Sequence, residues 1–470
     1  MITLREDQNV FVESLRVALA SHVSVMGVAA TGFGKTVVSS YIARSAMQKR
    51  KRVIFTVHRQ NLIEQTSKTF AQFNIPHGFI AAGMPYSSNE LVHVASIDTL
   101  RNRLEKIEAP DLLIIDEAHL AMAEGWRKVA NYFRERGTKI IGNSGSPQRL
   151  DGKPLSDLFD TMVEGPPVRW LMDNGHLSDY RYFAPNVPDM KGVKKRMGDF
   201  AQDQLGEMMD RPKLTGDVVK HYSLLAPGTR AIAFCVNVAH SQHIAAAFNA
   251  AGIPAEHIDG STPKGERKRI IAAFADGKIK VLCNVELITT GFDLSAQVGR
   301  DVPVETCILI RPTMSLALYL QMVGRALRKK PYPAIIIDHA GNMVRHGFPD
   351  DPNEWDLDGK PASKGKAAND NAPPPPIICE GCFNAIRRPA PPQCPHCGKR
   401  LIAEAKEIEV ADGELIEMTA DEKKRVRAIR KQEEAACKTL DDFVSLGRKR
   451  GYDYPLQWAQ KRYGFRAHRR

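Results

Sequence analysis

The chain has 470 residues, 43% hydrophobic and 26% charged, with a formal net charge of +12. That length exceeds one core and calls for two or three domains, and the composition excludes disordered and fibrous classes. The positive balance favours a polyanionic partner.

No apolar run approaches the ~18–20 residues of a membrane span. The N-terminal MITLREDQNVFVESL lacks the basic-then-apolar pattern of a signal peptide. Of the eight cysteines, Cys235, Cys283 and Cys307 sit in apolar, strand-like surroundings, Cys437 lies on a charged helical stretch, and four cluster between 379 and 397. Nothing in that usage points to an oxidising compartment, so a cytoplasmic chain without a membrane partner is expected.

Residues 8–20 place Val10, Phe11, Leu15 and Leu19 at helical spacing. Gln8 opens that helix. Its amide has the two-point geometry that pairs with the N6 and N7 edge of adenine; a solvated surface glutamine is the alternative. Val23 to Thr36, VSVMGVAATGFGKT, then reads as a buried strand, a tight turn and a helix starting near Lys35. Backbone N–H groups aimed inward at such a helix start cradle phosphate. Gly32 and Gly34 admit close approach and positive φ. Lys35 would reach the β- and γ-phosphates and Thr36 would sit on Mg²⁺, with Ala29 where the generic pattern has its first Gly.

Strands are expected at 53–57, 92–95, 112–115 and 140–142, with helices between them, which gives a parallel sheet carrying ligands at the carboxyl ends of its strands. Leu112 to Ile115 delivers Asp116-Glu117-Ala118-His119 at such an end. Asp116 would hold Mg²⁺ and Glu117 would deprotonate an attacking water. The alternative is a helix N-terminus that favours acidic residues.

Pro166, Pro167 and Pro188, with Lys191, Lys194, Lys195 and Arg196, suggest a linker or insertion. A second α/β pattern follows, with strands at 231–236, 255–258, 281–285, 306–310 and 334–338 and a helix expected over Ser315 to Leu327. On that helix Gln321, Arg325 and Arg328 would share a face. Two guanidinium groups delivered to a γ-phosphate by a neighbouring domain form an arginine-finger arrangement; a basic solvated face is the alternative.

Residues 346–376 are Pro-, Asp-, Asn- and Lys-rich and read as a semi-rigid linker. Then Cys379-x₂-Cys382 and Cys394-x₂-Cys397 put four thiolates at the spacing of a structural zinc ribbon, with Gly381 and Gly398 expected in its tight turns. A disulfide pair is the alternative; His396 is read as a bystander. The C-terminus interleaves Arg448, Lys449, Arg450, Lys461, Arg462, Arg466, Arg469 and Arg470 with Tyr452, Tyr454, Trp458, Tyr463 and Phe465. That mixture suits phosphate contacts and base stacking, or a helical hairpin packing its aromatics internally.

Taken together, Gln8, AATGFGKT at 29–36, TVHRQNL at 56–62, ASIDTL at 95–100, DEAH at 116–119, SGSPQRLDG at 144–152, HIDGST at 257–262, TTGFD at 289–293 and QMVGRALR at 321–328 resemble the superfamily 2 helicases of DEAH-box type. The closest likeness is to the branch with repair helicases and restriction-enzyme motor subunits, and it covers about residues 1–340. Ala29 is normal in that family.

The resemblance implies an α/β chain of two tandem RecA-like parallel-sheet domains plus a zinc ribbon and a basic helical tail. The expected parts are 1–165 (ATP-binding), 166–225 (linker or insertion), 226–345 (helicase C-terminal), 346–376 (Pro-rich linker), 377–402 (zinc ribbon) and 403–470 (basic helical region). It implies that Ala30, Thr31, Gly32, Gly34, Gly291 and Asp293 contact nucleotide or the partner domain. His119, Ser144, Ser146 and Gln321 would couple nucleotide state to domain motion. Arg59, Ser96, Thr99, Asn237 and Thr262 would lie along a nucleic-acid backbone. The implied activity is ATP-dependent translocation on DNA with strand separation, using ATP, Mg²⁺ and Zn²⁺. Single-stranded, forked or junction DNA is the expected partner, within a replication or recombination complex. An RNA helicase, a duplex translocase without unwinding and an ATP-switched adaptor are the other readings.

Overall fold

Seven strands, β1 (Ser24–Val28), β2 (Val53–Val57), β3 (Gly78–Ile80), β4 (Val92–Ser96), β5 (Leu112–Asp116), β6 (Lys139–Ser144) and β7 (Thr161–Glu164), form a sheet in the order β3-β4-β2-β5-β6-β1-β7. Every pairing is parallel. The structure is a computed structural model. Its described residues are 3–467 apart from 59, 122, 150–151, 186–187, 189, 191–192, 197–198, 211, 289–292, 360–375, 402–419 and 453. They fall into two compact units, Met1–Ile402 and Ala403–Arg470.

The strands β1, β2 and β4 are buried along their whole length, which is why VIFTV shows no polar alternation: both faces are covered. Alternate residues feed two apolar layers. Val25, Phe55 and Ile114 meet Phe11 and Leu15 of the first helix, Glu6–Ser21, within one cluster. Met26, Ile54 and Ile115 meet Trp126 and Phe133 of the helix Glu124–Arg134 within another. The register sets Val28 opposite Ser144 and Asp116 opposite Asn143. The carboxyl ends of β5, β6 and β1 therefore lie side by side.

The second sheet contains β8 (Tyr180–Phe183), β11 (Ala231–Phe234), β12 (Ala255–Ile258), β13 (Val281–Asn284), β14 (Thr306–Leu309) and β15 (Ala334–Asp338), ordered β12-β13-β11-β14-β15-β8 and parallel throughout. Between β8 and β11 runs a small hairpin, β9 (Lys195–Arg196) with β10 (Asp199–Phe200). The sequence expectation for residues 166–225 is a linker or insertion, but their β8 joins this sheet as its edge strand beyond β15, with Tyr180 opposite Ala334. The segment YRYF gives little apolar signal because Arg181 is exposed while Tyr182 and Phe183 face inward.

The Pro- and Asp-rich stretch after 346 is packed over its first part. Trp355 and Leu357 lie against the first sheet's core, and the Leu357 carbonyl accepts the Leu155 and Ser156 N–H groups at 2.6 and 3.0 Å. The cysteine-bearing strands β16 (Ile377–Ile378) and β17 (Ala385–Ile386) form an antiparallel pair. This ribbon is attached to the end of β8. The Ala184 N–H donates to the Phe383 carbonyl at 2.9 Å, Phe183 meets the His396 ring at 5.1 Å, and Arg387 pairs with Asp350 and Asp351.

The second unit holds the helices Ala420–Ala436, Leu440–Lys449 and Pro455–Ala467. Thr439 and Asp442 cap the middle helix reciprocally. Phe443, Leu446, Cys437 and Ala459 form its core with Trp458 packed against it, and Arg450 lies over the Trp458 ring. Among the described aromatics, Tyr452 packs on Trp458 and Tyr463 meets Phe443 while 41% exposed, and Tyr454 is 70% exposed.

His240, at the first turn of the helix Val238–Ala250, is fully buried, and its Nδ1 accepts the Val236 N–H at 3.4 Å. Burial lowers its pKa from 6.5 to about 4. A depressed folded pKa means that the stabilisation of neutral His240 is complete above pH 6.5 and is lost as pH falls towards 4, by about 3 kcal/mol in total. Thermal unfolding scans from pH 7 to 4 should show this acid limb, and His240→Asn should flatten it.

Candidate active site

The phosphate loop leaves β1 and closes with Gly32 at φ +92° and Gly34 at φ +96°. Both are left-handed values that L side chains rarely adopt. The helix Lys35–Gln48 starts directly after Gly34. Ala29 donates its N–H to the Ser144 carbonyl of β6 at 2.9 Å, and the Ala30 carbonyl accepts the Phe33 N–H at 3.1 Å. Lys35 Nζ donates to the carbonyls of Ala29 and Ala30 at 2.9 and 3.3 Å. Burial pulls the Lys35 pKa down, while Glu117 and Asp116 pull it back up.

Gln8 is 3% exposed, which removes the solvated alternative. Its Nε2 donates to the Phe33 carbonyl at 2.8 Å and its Oε1 accepts the Arg5 N–H at 3.1 Å. A Cβ on residue 34 would sit 2.7 Å from that amide nitrogen, so the glycine makes room for the brace. Arg5, which sequence reading passed over, donates to the same carbonyl at 3.1 Å and pairs with Asp7 at 2.8 Å. The signal was weak: one arginine a turn before Gln8.

Asp116 closes β5, and burial, with Glu117 beside it and Lys35 opposing, pushes its pKa up to about 7. Glu117 adopts φ 50°, left-handed for a non-glycine residue. Its Oε2 lies 3.5 Å from His119 Nδ1 and accepts Gln321 Nε2 from the second sheet's side at 3.2 Å. His119 Nδ1 is also 3.0 Å from Ser144 Oγ, which donates to the Ser146 carbonyl at 2.6 Å. The four residues expected to couple, His119, Ser144, Ser146 and Gln321, thus form one hydrogen-bonded set around Glu117.

One expectation fails here. The helix Leu316–Gly324 ends before Arg325, so Arg328 does not share a helical face with Gln321. Ser178 intercepts the chain: its N–H donates to the Leu327 carbonyl at 2.9 Å and its Oγ to the Arg328 carbonyl at 3.0 Å. Arg328 forms an isolated antiparallel bridge with Leu177 instead. All three side chains still line one polar cleft of about 490 Å³, with Thr31, Gly32, Gly34, Lys35, Thr36, Asp116, Glu117 and Asp293. Gly324 packs on the loop closely enough that a Cβ would strike Thr31 at 2.6 Å.

The two arginines differ. Arg328 holds both oxygens of Asp293 at 3.2 Å. Arg325 is 9% exposed and its buried Nε has no hydrogen-bond partner. Burial, with Arg328 adding to it, lowers the Arg325 pKa to about 10, so it stays charged at neutral pH. A buried guanidinium nitrogen left unpaired is costly, and a phosphate oxygen would satisfy it. With Lys35 and the glycine turn, the cleft suits a triphosphate, and Asp116 and Thr36 suit its Mg²⁺. Gln65 and His176 also line the cleft and carried no sequence signal.

Among the residues expected on a nucleic-acid backbone, Arg59 lies outside the described residues, as does Gly291 of the nucleotide set. Ser96 ends β4 and is buried, and Thr99 is half-buried in the short helix Ile97–Arg101. Asn237 Oδ1 caps its helix by accepting the His240 N–H at 2.8 Å. Thr262 Oγ1 accepts the Asp259 N–H at 3.0 Å. All four stand at or just beyond strand carboxyl ends, but they are not brought together with the cleft.

The Sγ atoms of Cys379, Cys382, Cys394 and Cys397 all lie within 4.8 Å of one another. Two pairs, Cys379–Cys397 and Cys382–Cys394, are 3.6 Å apart. Tetrahedral Zn–S bonds of about 2.3 Å require S–S separations of about 3.8 Å, so the set fits Zn²⁺; all four are free thiols rather than disulfides. The first knuckle turns at Phe383 (φ 63°) rather than at Gly381, while the second turns at Gly398 (φ 74°) as expected. The positive φ follows the second cysteine of each pair, and Phe383 fills the position that Gly398 fills.

The family profile described as type III restriction enzyme, res subunit, matches residues 1–149, and that of the helicase conserved C-terminal domain matches residues 216–330. A 51.5 kDa protein of a Lactococcus phage (isolate 7-9) is 37% identical over 325 residues, 69% of this chain and 67% of its own length. IRC3 of Saccharomyces cerevisiae, an ATP-dependent helicase by its name, is 29% identical over 64% of this chain and 45% of its own length. This chain therefore spans less than half of that yeast relative. The crystal structure of the DUF1998 helicase MrfA bound to DNA shares the fold, with TM-score 0.51 and 15% identity over 73% of this chain and 50% of that one. The two profiles, in chain order over the two sheets, and the phage and yeast relatives lead to one assignment: the chain belongs to the superfamily 2 helicases, ATPases of the restriction-enzyme and IRC3-like branch.

Proposed function

We propose that this ATPase hydrolyses ATP to move along DNA and separate its strands. The observation that carries the reading is that the cleft takes groups from both sheets: Gln321 of the second reaches Glu117 of the first at 3.2 Å, and Arg325 lines the same space as Lys35. Lys35 and the loop N–H groups hold the triphosphate, and Asp116 and Thr36 hold Mg²⁺, which supplies charge neutralisation when bound. Glu117 accepts the proton of the attacking water. Arg325 meets the charge that develops on the γ-phosphoryl oxygens. Loss of the γ-phosphate removes the partner of Arg325, so the halves separate and reclose once per turnover. His119 and Ser144 carry that change to the backbone grips, for which Ser96, Thr99, Asn237, Thr262 and Arg59 are the candidates.

DNA rather than RNA is favoured by the restriction-enzyme profile over residues 1–149. Backbone gripping carries little sequence information, so the motor is expected to be sequence-independent. ATPase rates across single-stranded DNA, forks, junctions, duplex and RNA, with strand release measured in parallel, test the reading. Stimulation by DNA with ATP-dependent release from forks is expected. Stimulation by RNA alone, or by duplex without release, would refute it.

The four cysteines are proposed to bind structural Zn²⁺. Four sulfur ligands leave no open position, so the metal folds the ribbon rather than entering the chemistry. Chelation should release one equivalent of zinc and raise the proteolytic sensitivity of residues 377–401, and Cys394→Ser should do the same without chelator.

A further inference from the structure

We infer that Gln65 is a positioning residue for the arginine pair, acting across the cleft through Asp293. The inference rests on the proposed ATP-driven reaction. Gln65 belongs to the helix Gln60–Gln72 of the first sheet's layer and lines the cleft. Its Oε1 accepts the backbone N–H of Asp293, in the second half, at 2.9 Å. Asp293 in turn caps the helix Leu294–Val298 by accepting the Ser295 N–H at 2.8 Å. Both its carboxylate oxygens hold Arg328 at 3.2 Å. Burial raises the Asp293 pKa but is outweighed by Arg328, so the carboxylate lies below its ordinary range and stays charged.

A first-half amide therefore fixes the backbone to which a second-half arginine is anchored. The contact is made by a side chain of one half and a peptide group of the other, so it forms only when the halves are in register. A second bond one residue earlier, Glu64 to Lys264 at 2.7 Å, spans the same boundary but is solvent-exposed and contributes little. Gln65 does not touch the phosphate site as a reacting group. Its effect is on where Arg328, and beside it Arg325, stand when the cleft closes.

Two measurements on the full chain test this. Hydrogen exchange at the Asp293 amide should speed up about tenfold in Gln65→Ala, the scale of one lost hydrogen bond. It should return near the parent rate in Gln65→Glu, which keeps an acceptor oxygen. Unchanged exchange in Gln65→Ala overturns the inference whether or not the protein hydrolyses ATP. In DNA-stimulated turnover, Gln65→Ala should lower kcat about tenfold with KM for ATP within about twofold, and should add less than about twofold in an Arg328→Ala background. A full additional loss there, as a merely structural residue would give, also overturns it. Absence of turnover in the parent would instead refute the proposed function and leave the exchange result standing as the test.

Discussion

Glu117→Gln should lower kcat for ATP by about a thousandfold, the middle of the range for removing a positioned general base, while ATP still binds within about threefold of the parent. The amide is isosteric and can still accept from Gln321 and approach His119, so the hydrogen-bonded set around position 117 persists. What it loses is the capacity to take a proton. The left-handed backbone at Glu117 is unaffected by the change, since strain there depends on the Cβ that both side chains carry. Equilibrium binding of a fluorescent ATP analogue beside steady-state turnover separates the two effects. Turnover above about a tenth of the parent would remove Glu117 from the proposed role.

Arg325→Ala should cost about a thousandfold in DNA-stimulated turnover, the lower end of what an arginine finger supplies. Arg328→Ala should cost about tenfold. The asymmetry follows from their surroundings. Arg328 is about two-fifths exposed and already paired with Asp293, so its removal frees a carboxylate that water can reach in part. Arg325 is buried, lines the cleft and has an Nε without a hydrogen-bond partner, so no water should substitute for it once the cleft shuts. With its pKa at about 10, Arg325 stays charged between pH 6 and 8, so the defect should be flat over that range. Equal losses for the two variants would mean that the observed Asp293 pair is broken in the reacting state.

Much of this site is legible in the chain because its residues are set by backbone geometry. The turn at Gly32 and Gly34 and the carboxylates at 116 and 117 each follow a buried apolar strand, and parallel register alone brings those strand ends together. The four cysteines are legible for a related reason: two short knuckles fix ligand spacing locally. What could not be read are contacts between segments far apart in the chain. Gln65, Arg5 and His176 sit in ordinary helical or connecting sequence, and only tertiary packing brings them to the nucleotide side.

The arginine helix shows the same limit from the other direction. Its apolar spacing continues to Leu327, but the helix ends at Gly324, and beyond it Ser178, 150 residues earlier than Arg328, binds the Leu327 and Arg328 carbonyls. Likewise β8 joins the second sheet from a Pro-flanked stretch, beside the later strand β15, with Tyr182 and Phe183 buried. The acidic stretch near 350 looks like linker by composition. It is held because Arg387 of the ribbon supplies the countercharge for Asp350 and Asp351.

Cleavage of prebound ATP in a single turnover, with enzyme in excess and DNA saturating, is the measurement to make on a chain carrying both Arg325→Ala and Arg328→Ala. Binding and product release do not enter that rate, so it reports whether the second half takes part in the bond-breaking step itself. Cleavage should fall to the level the parent shows without DNA. Cleavage at the parent's DNA-stimulated speed would mean that the first half catalyses alone, and no ATP-timed motion between the two sheets would follow.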